Sequence, residues 1–206
     1  MMILYYAKGA CSQAPHIILH EAGFAHDSIK VDLKTKRTER GEDYLSVNPK
    51  GAVPALRLDN GELLTENAVV LQYLGDQAGG FLLPAAGDFR RYRVLEWLNF
   101  VATELHKGFG PFFKPAGEET KQFARDLVAS RLDFVEGRIG DRPFLLGEAF
   151  TLPDPYLFVM LGWTDKAGLD LGRWPRLKAY RERLEQRPSV RRVLEYEGLV
   201  PVEAAS

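Results

Sequence analysis

Apolar and polar positions follow two different rhythms along this chain of 206 residues, and the change falls near Gly80. Before it, short strand-like and helix-like runs alternate. Residues 3–6 are apolar and rich in strand formers, residues 15–22 read as a short helix stopped by Gly23, and residues 28–33 alternate with a period of two. Residues 42–45 suit one loose helical turn. Residues 53–58 and 62–64 flank Asp59-Asn60-Gly61, and Asn-Gly between apolar runs is a strong hairpin signal. Residues 67–77 then form a helix with Val70, Leu71 and Leu74 on one face. The order β-α-β-α-β-β-α predicts a parallel pair joined by a right-handed crossover, with an antiparallel hairpin beside it. A four-stranded mixed sheet covered by helices is expected for residues 1–80.

Gly79-Gly80 and Pro84-Ala85-Ala86-Gly87 break the pattern and mark a domain boundary. Beyond it only helical spacing remains. Val94, Leu98, Val101 and Leu105 place one helix over 88–107, and further helices are predicted over 118–139, 152–166, 176–186 and 189–197. Residues 88–206 are therefore expected to be an all-α helical bundle. In Thr151-Leu152-Pro153-Asp154, Thr151 is placed to cap the amide three residues on while Asp154 reaches back to the Thr151 amide. Pro155 removes an amide from that first turn and is expected to distort it.

Composition narrows the function without naming it. Hydrophobic residues at 46% and charged residues at 27% are an ordinary globular balance, and a net charge of −1 gives no basic excess for nucleic acid or an anionic membrane. No apolar run approaches the ~20 residues of a membrane span. The short apolar start precedes its nearest cation, the reverse of a secretory signal, so a cytoplasmic protein is expected. One cysteine excludes an internal disulfide and a cysteine zinc cluster, and no metal site is expected.

That cysteine, Cys11, falls between the first strand and the first helix, in Gly9-Ala10-Cys11-Ser12. Ser12 is a candidate N-cap, with Pro15 inside the first turn. Amides at a helix start stabilise an anion, and a thiol placed there is held lower than its usual ~8.5. A cysteine can also be a small buried hydrophobe, but the strand-to-helix turn favours a reactive thiol. Ala14 stands where a dithiol motif needs a second cysteine. Any redox chemistry is therefore monothiol, with an external thiol such as glutathione as partner.

Val53-Pro54 precedes a strand. A cis proline there would turn the Val53 amide and carbonyl outward to pair with an extended peptide, whereas a trans proline would be an ordinary strand start. Glu66 and Asn67 open the helix over 67–77. Asn67 is a fair N-cap, Glu66 can accept from an ammonium group, and the free amides at the helix start can take a carboxylate. Glutathione's γ-glutamyl end carries both groups on one carbon. Glu66 taken alone also reads as a solvated helix-start acid.

The segments Gly9-Ala10-Cys11-Ser12, Asn48-Pro49-Lys50-Gly51-Ala52-Val53-Pro54-Ala55-Leu56 and Leu64-Thr65-Glu66-Asn67 resemble the glutathione-binding half of glutathione transferases. Glu96-Trp97-Leu98-Asn99 and Ala102-Thr103-Glu104-Leu105-His106-Lys107-Gly108 resemble the bacterial beta class. The resemblance runs nearly end to end. It implies a thioredoxin-like domain followed by the helical bundle, a homodimer, and glutathione as co-substrate. It implies a cis Pro54 and a cradle of Ala10, Lys36, Val53, Pro54, Glu66 and Asn67. Residue 67 is commonly serine in the superfamily, and asparagine keeps a donor and an acceptor there. Lys36 matches a lysine that reaches glutathione's glycine carboxylate, although it also reads as a solvated loop charge.

Asn99, Thr103 and His106, spaced i, i+4, i+7, form a polar stripe beside the apolar one. The resemblance puts His106 near the thiol, as a donor to a sulfur anion, and Asn99 and Thr103 at the neighbouring subunit's glutathione. Phe109, Phe112, Phe113 and Trp163 are expected to line a pocket for a hydrophobic electrophile, with core packing as the plainer reading of each phenylalanine. The implied activity joins glutathione's sulfur to an electrophile, or exchanges disulfides through Cys11. A glutathione-dependent isomerase, a reductive dehalogenase and a non-catalytic binding protein share the scaffold.

Overall fold

The computed structural model describes residues 1–202, so the last four residues of the expected helical domain lie outside the described residues. The chain divides into two compact units, one of residues 1–78 together with the residues from Gln186 on, the other of Gly79–Glu185.

The first unit is built on a five-stranded sheet of order β3-β2-β1-β4-β5, made of β1 (Met2–Tyr6), β2 (His26–Asp32), β3 (Arg37–Thr38), β4 (Ala55–Arg57) and β5 (Leu63–Thr65). Strands β1 and β2 are parallel, from Met2 opposite His26 to Tyr6 opposite Lys30, and α1 (Gln13–Glu21) is their crossover. Strand β4 runs antiparallel to both β1 and β5. The Asp59-Asn60-Gly61 hairpin forms as read, with Gly61 at φ +89°. The expected four strands become five because Arg37–Thr38 folds back antiparallel on Val31 and Asp32. A two-residue strand has no period to read. Residues Tyr44–Ser46 form the loose 3₁₀ turn, and α2 (Asn67–Gln77) closes this part of the unit.

Both sheet faces are buried, as a sheet covered on two sides requires. Tyr5, Ala7, Ile29, Val31 and Tyr44 form the cluster on one side. Ile17 and Ile18 of α1 and Val70, Leu71 and Leu74 of α2 are fully buried, and the two helices pack together.

The second unit is helical: α3 (Phe89–Phe100), α4 (Glu118–Ile139), α5 (Pro153–Gly162) and α6 (Pro175–Glu185). The helix expected over 88–107 does not stay regular, because Val101–His106 widens into a π-helical turn. Asp154 is completely buried at the start of α5 and accepts from the Leu145 amide at 2.9 Å, the Thr151 amide at 2.7 Å, the Thr151 hydroxyl at 2.9 Å and the Tyr180 hydroxyl at 2.7 Å. Only half of the expected capping box forms. The Thr151 hydroxyl donates to Asp154 instead of accepting an amide, and the Asp154 amide bonds the Thr151 carbonyl at 3.0 Å. Pro155 is thereby accommodated in a tightened first turn.

The stretch 88–206, expected to be the helical domain, runs on past Glu185 into the last helix. Helix α7 (Pro188–Tyr196) packs on α1 of the first unit. Arg187 and Ser189 donate to Glu21, and Glu197 accepts from the Gly9 amide at 2.9 Å and from Gln13 at 3.2 Å. Among the described residues no helix is long and apolar enough to cross a membrane.

Candidate functional site

In the first unit the segment Asn48-Pro49-Lys50-Gly51-Ala52-Val53-Pro54 ties together the other candidate residues. Asn48 closes the loop on itself, donating to the Ala52 carbonyl at 2.7 Å and accepting from the Lys50 amide at 3.2 Å. The Tyr44 hydroxyl holds the same carbonyl at 2.8 Å. Lys50 reaches Glu66 at 2.6 Å and the Thr65 hydroxyl at 3.0 Å. Gly51 sits at φ +60°, a backbone conformation strained for other residues, and a Cβ there would crowd the Leu45 side chain at 3.1 Å and the Lys36 side chain at 3.2 Å. Its carbonyl accepts from the Lys36 ammonium at 2.7 Å. The Val53-Pro54 peptide is cis, as the resemblance implies.

The Val53 carbonyl accepts from the Cys11 thiol, with sulfur and oxygen 3.3 Å apart. Cys11 is 7% exposed and lies in the turn just before α1. The Ala10 amide bonds the Ala7 carbonyl, and the Ala10 carbonyl receives the Gln13 amide, both at 3.0 Å. Ser12 does not cap the helix. Its hydroxyl turns back to Ala7, accepting from the amide at 3.1 Å and donating to the carbonyl at 3.4 Å, so it fastens the strand-to-helix turn that carries Cys11.

Glu66 is the residue flanking α2, with φ +69° and ψ +115°. That region is costly for a residue with a side chain, and such conformations concentrate at functional sites. Asn67 is the first residue of the helix and not its N-cap. Its side chain is 7% exposed, and neither its amide nitrogen nor its oxygen has a hydrogen-bond partner. Buried polar atoms are nearly always satisfied, so an orphaned pair calls for an explanation. The first amides of α2 beside it have no partner inside the helix by construction.

In the helical unit His106 ends the π turn, with its Nδ1 2.5 Å from the Tyr156 hydroxyl. Burial, then the neighbouring Lys107 charge, push this histidine down to about 4, so it is neutral at neutral pH. A neutral ring has one N–H to donate and one bare nitrogen to accept. Trp163 is the centre of an aromatic group. It stands edge-on to His106 at 5.2 Å, to Phe109 at 5.8 Å and to Phe113 at 4.5 Å between ring centroids. Phe112 meets Phe109 at 6.4 Å. Phe109 is completely buried and packs behind Trp163, while Phe113 is 47% exposed. Of the expected pocket residues, Phe109 is thus core.

Asn99 and Thr103 are exposed, and the Thr103 hydroxyl donates to the Asn99 carbonyl at 3.1 Å. Between Thr103 and His106 the chain runs through the π turn, which has more residues per turn than a regular helix. Tyr156 was missed as the partner of His106. It stands fifty residues away in the chain, and only packing brings the two together.

Comparison with known proteins gives the family. Residues 9–77 match the family model described as the glutathione S-transferase N-terminal domain, and residues 100–188 match the C-terminal domain. The chain is 44% identical over 200 residues to glutathione S-transferase GstA of Escherichia coli O157:H7, covering 96% of this chain and 100% of the relative. A glutathione transferase structure from Methylococcus capsulatus superposes with a TM-score of 0.93 at 50% identity, covering 97% of this chain and 100% of that one. A sphingomonad glutathione S-transferase complexed with glutathione gives 0.91 at 46% identity, with 96% and 100% covered. A fold with a thioredoxin-like sheet, a helical unit and an end-to-end match to these transferases makes the chain a member of the glutathione S-transferase family, within the bacterial beta class.

Proposed function

We propose that glutathione lies along the loop 48–54 and the start of α2, with its sulfur at Cys11. The observation that carries this reading is the buried, unpartnered side chain of Asn67 next to the strained Glu66. Together with the free amides of α2, they offer a carboxylate and an ammonium group what each needs. Val53 supplies backbone pairing next to Pro54, Ala10 lies along the Cys11 turn, and Lys36 takes the glycine carboxylate. That last contact requires Lys36 to leave the Gly51 carbonyl.

In conjugation, the glutathione thiolate attacks an electrophilic carbon of a hydrophobic co-substrate and expels its leaving group. His106, neutral and held by Tyr156, donates a hydrogen bond to developing negative charge. Trp163, Phe112 and Phe113 supply the apolar wall. In exchange, the Cys11 thiolate attacks one sulfur of oxidised glutathione, a Cys11–glutathione disulfide forms, and one glutathione thiolate leaves. The exposed Asn99 and Thr103 serve the glutathione of a second subunit in a cytoplasmic homodimer.

The test is an intact mass spectrum after incubation with oxidised glutathione. The wild type is expected to gain one glutathionyl group, reversible by reductant, and Cys11→Ala is expected to gain none. A folded wild type that gains nothing overturns the assignment of Cys11.

A further inference from the structure

Three of the chain's four histidines meet in the first unit, in a group that the transferase chemistry does not use. His16 and His20 are one turn apart on α1, and His26 opens β2. One ring nitrogen from each lies within 4.8 Å of the other two. The Nδ1 of His26 is 2.8 Å from the Phe24 carbonyl. A carbonyl only accepts, so this nitrogen carries the proton and Nε2 presents a bare lone pair. The Nδ1 of His16 is 3.3 Å from a carboxylate oxygen of Glu197. Anchoring one ring nitrogen on a carboxylate or carbonyl is how proteins orient metal-binding imidazoles. The Nε2 of His20 is buried without a hydrogen-bond partner. Burial, then the nearby His16 and His26, hold His20 down to about 4, and burial also lowers His26, so both are in the neutral form that ligates.

We propose that His16, His20 and His26 form a site for a divalent first-row transition ion, with zinc as the reference ion, that ties α1 to β2. Imidazole nitrogens suit such ions. Around tetrahedral zinc, ligand nitrogens stand about 3.4 Å apart, so small ring rotations close the site. The Nε2 of His16 now meets the Ser28 hydroxyl at 3.3 Å, a contact that the hydroxyl gives up by rotating. A cavity of about 400 Å³ lined by His20, Glu21, Arg187, Pro188, Ser189 and Arg192 reaches the group on its His20 side. Arg192 opposes the ion's charge, and the carboxylates of Glu197 and Glu21 offset it.

The experiment titrates the untagged, chelator-stripped full chain with zinc chloride in a calorimeter and counts retained zinc after gel filtration. One ion per chain is expected, with a rise in Tm. His20→Gln and His26→Gln are each expected to weaken binding at least a hundredfold and to abolish the Tm rise, and Glu197→Gln to weaken it roughly 10–100-fold. Cys11→Ala is expected to bind as the wild type does. The proposal is overturned by a folded wild type that takes up no zinc, by binding that survives His20→Gln, or by binding lost with Cys11.

Discussion

At Asn67 the chain buries a side-chain amide with no protein partner, a loss that the fold itself gains nothing from. Asn67→Ala is therefore expected to raise KM for glutathione about tenfold, near 1.4 kcal/mol of lost binding, without lowering Tm. Steady-state kinetics and a thermal melt check this, and a lower Tm at unchanged KM would make Asn67 structural. His106 gives a pH signature. Its folded value of about 4 lies below the usual 6.5, so the unfolded chain takes up a proton more readily. The associated stability is complete above pH 6.5 and is lost as pH falls toward 4. Urea midpoints at pH 7.5 and 5.0 should differ more for the wild type than for His106→Asn. Both residues were legible in the sequence through motifs. Tyr156 was not, because its partner lies fifty residues away and only packing brings them together.

Among the elements, α2 and α4 begin and end where apolar spacing and flanking residues put them, at Asn67–Gln77 and Glu118–Ile139. The π turn over Val101–His106 left no such trace. Val94, Leu98, Val101 and Leu105 suit a regular helix as well, and the widening shows only in three dimensions. The histidine trio was half legible: the i, i+4 pair His16 and His20 stands in the sequence, but the crossover that brings His26 to it does not. The start of α5 carries a sharper prediction. Asp154→Ala strands two amides and two hydroxyls in a dry interior. It should cost about 3 kcal/mol in denaturant unfolding, at the upper end for a single substitution. A loss below about 1 kcal/mol would mean that water replaces the carboxylate.

At the level of the whole molecule, the boundary near Gly79 was legible and the far one was not. Helix α7 is far more amphipathic than α6, but nothing in its spacing says that the partner of its apolar face is α1. Its hold is polar as well as apolar. Glu197 serves Gly9, Gln13 and His16, and Glu21 serves Arg187 and Ser189. Glu197→Ala should accelerate amide exchange at residues 8–14 as well as at 186–199, while exchange in Gly79–Glu185 stays unchanged. Mass-spectrometric exchange reads this directly, and an effect confined to 195–199 would show that the turn carrying Cys11 holds without the carboxylate.

Because the residues that complete the first unit follow Gly79–Glu185 in the chain, that unit is interrupted by the other one. A ribosome delivers the sheet and α1 early and their last helix late. During that interval the surface of α1 that α7 covers stands open, and the Cys11 turn lacks the Glu197 carboxylate that holds the Gly9 amide. The helical unit has all its own residues before the sheet unit does. The turn that carries Cys11 thus gains its carboxylate partner only after the whole of Gly79–Glu185 has been made.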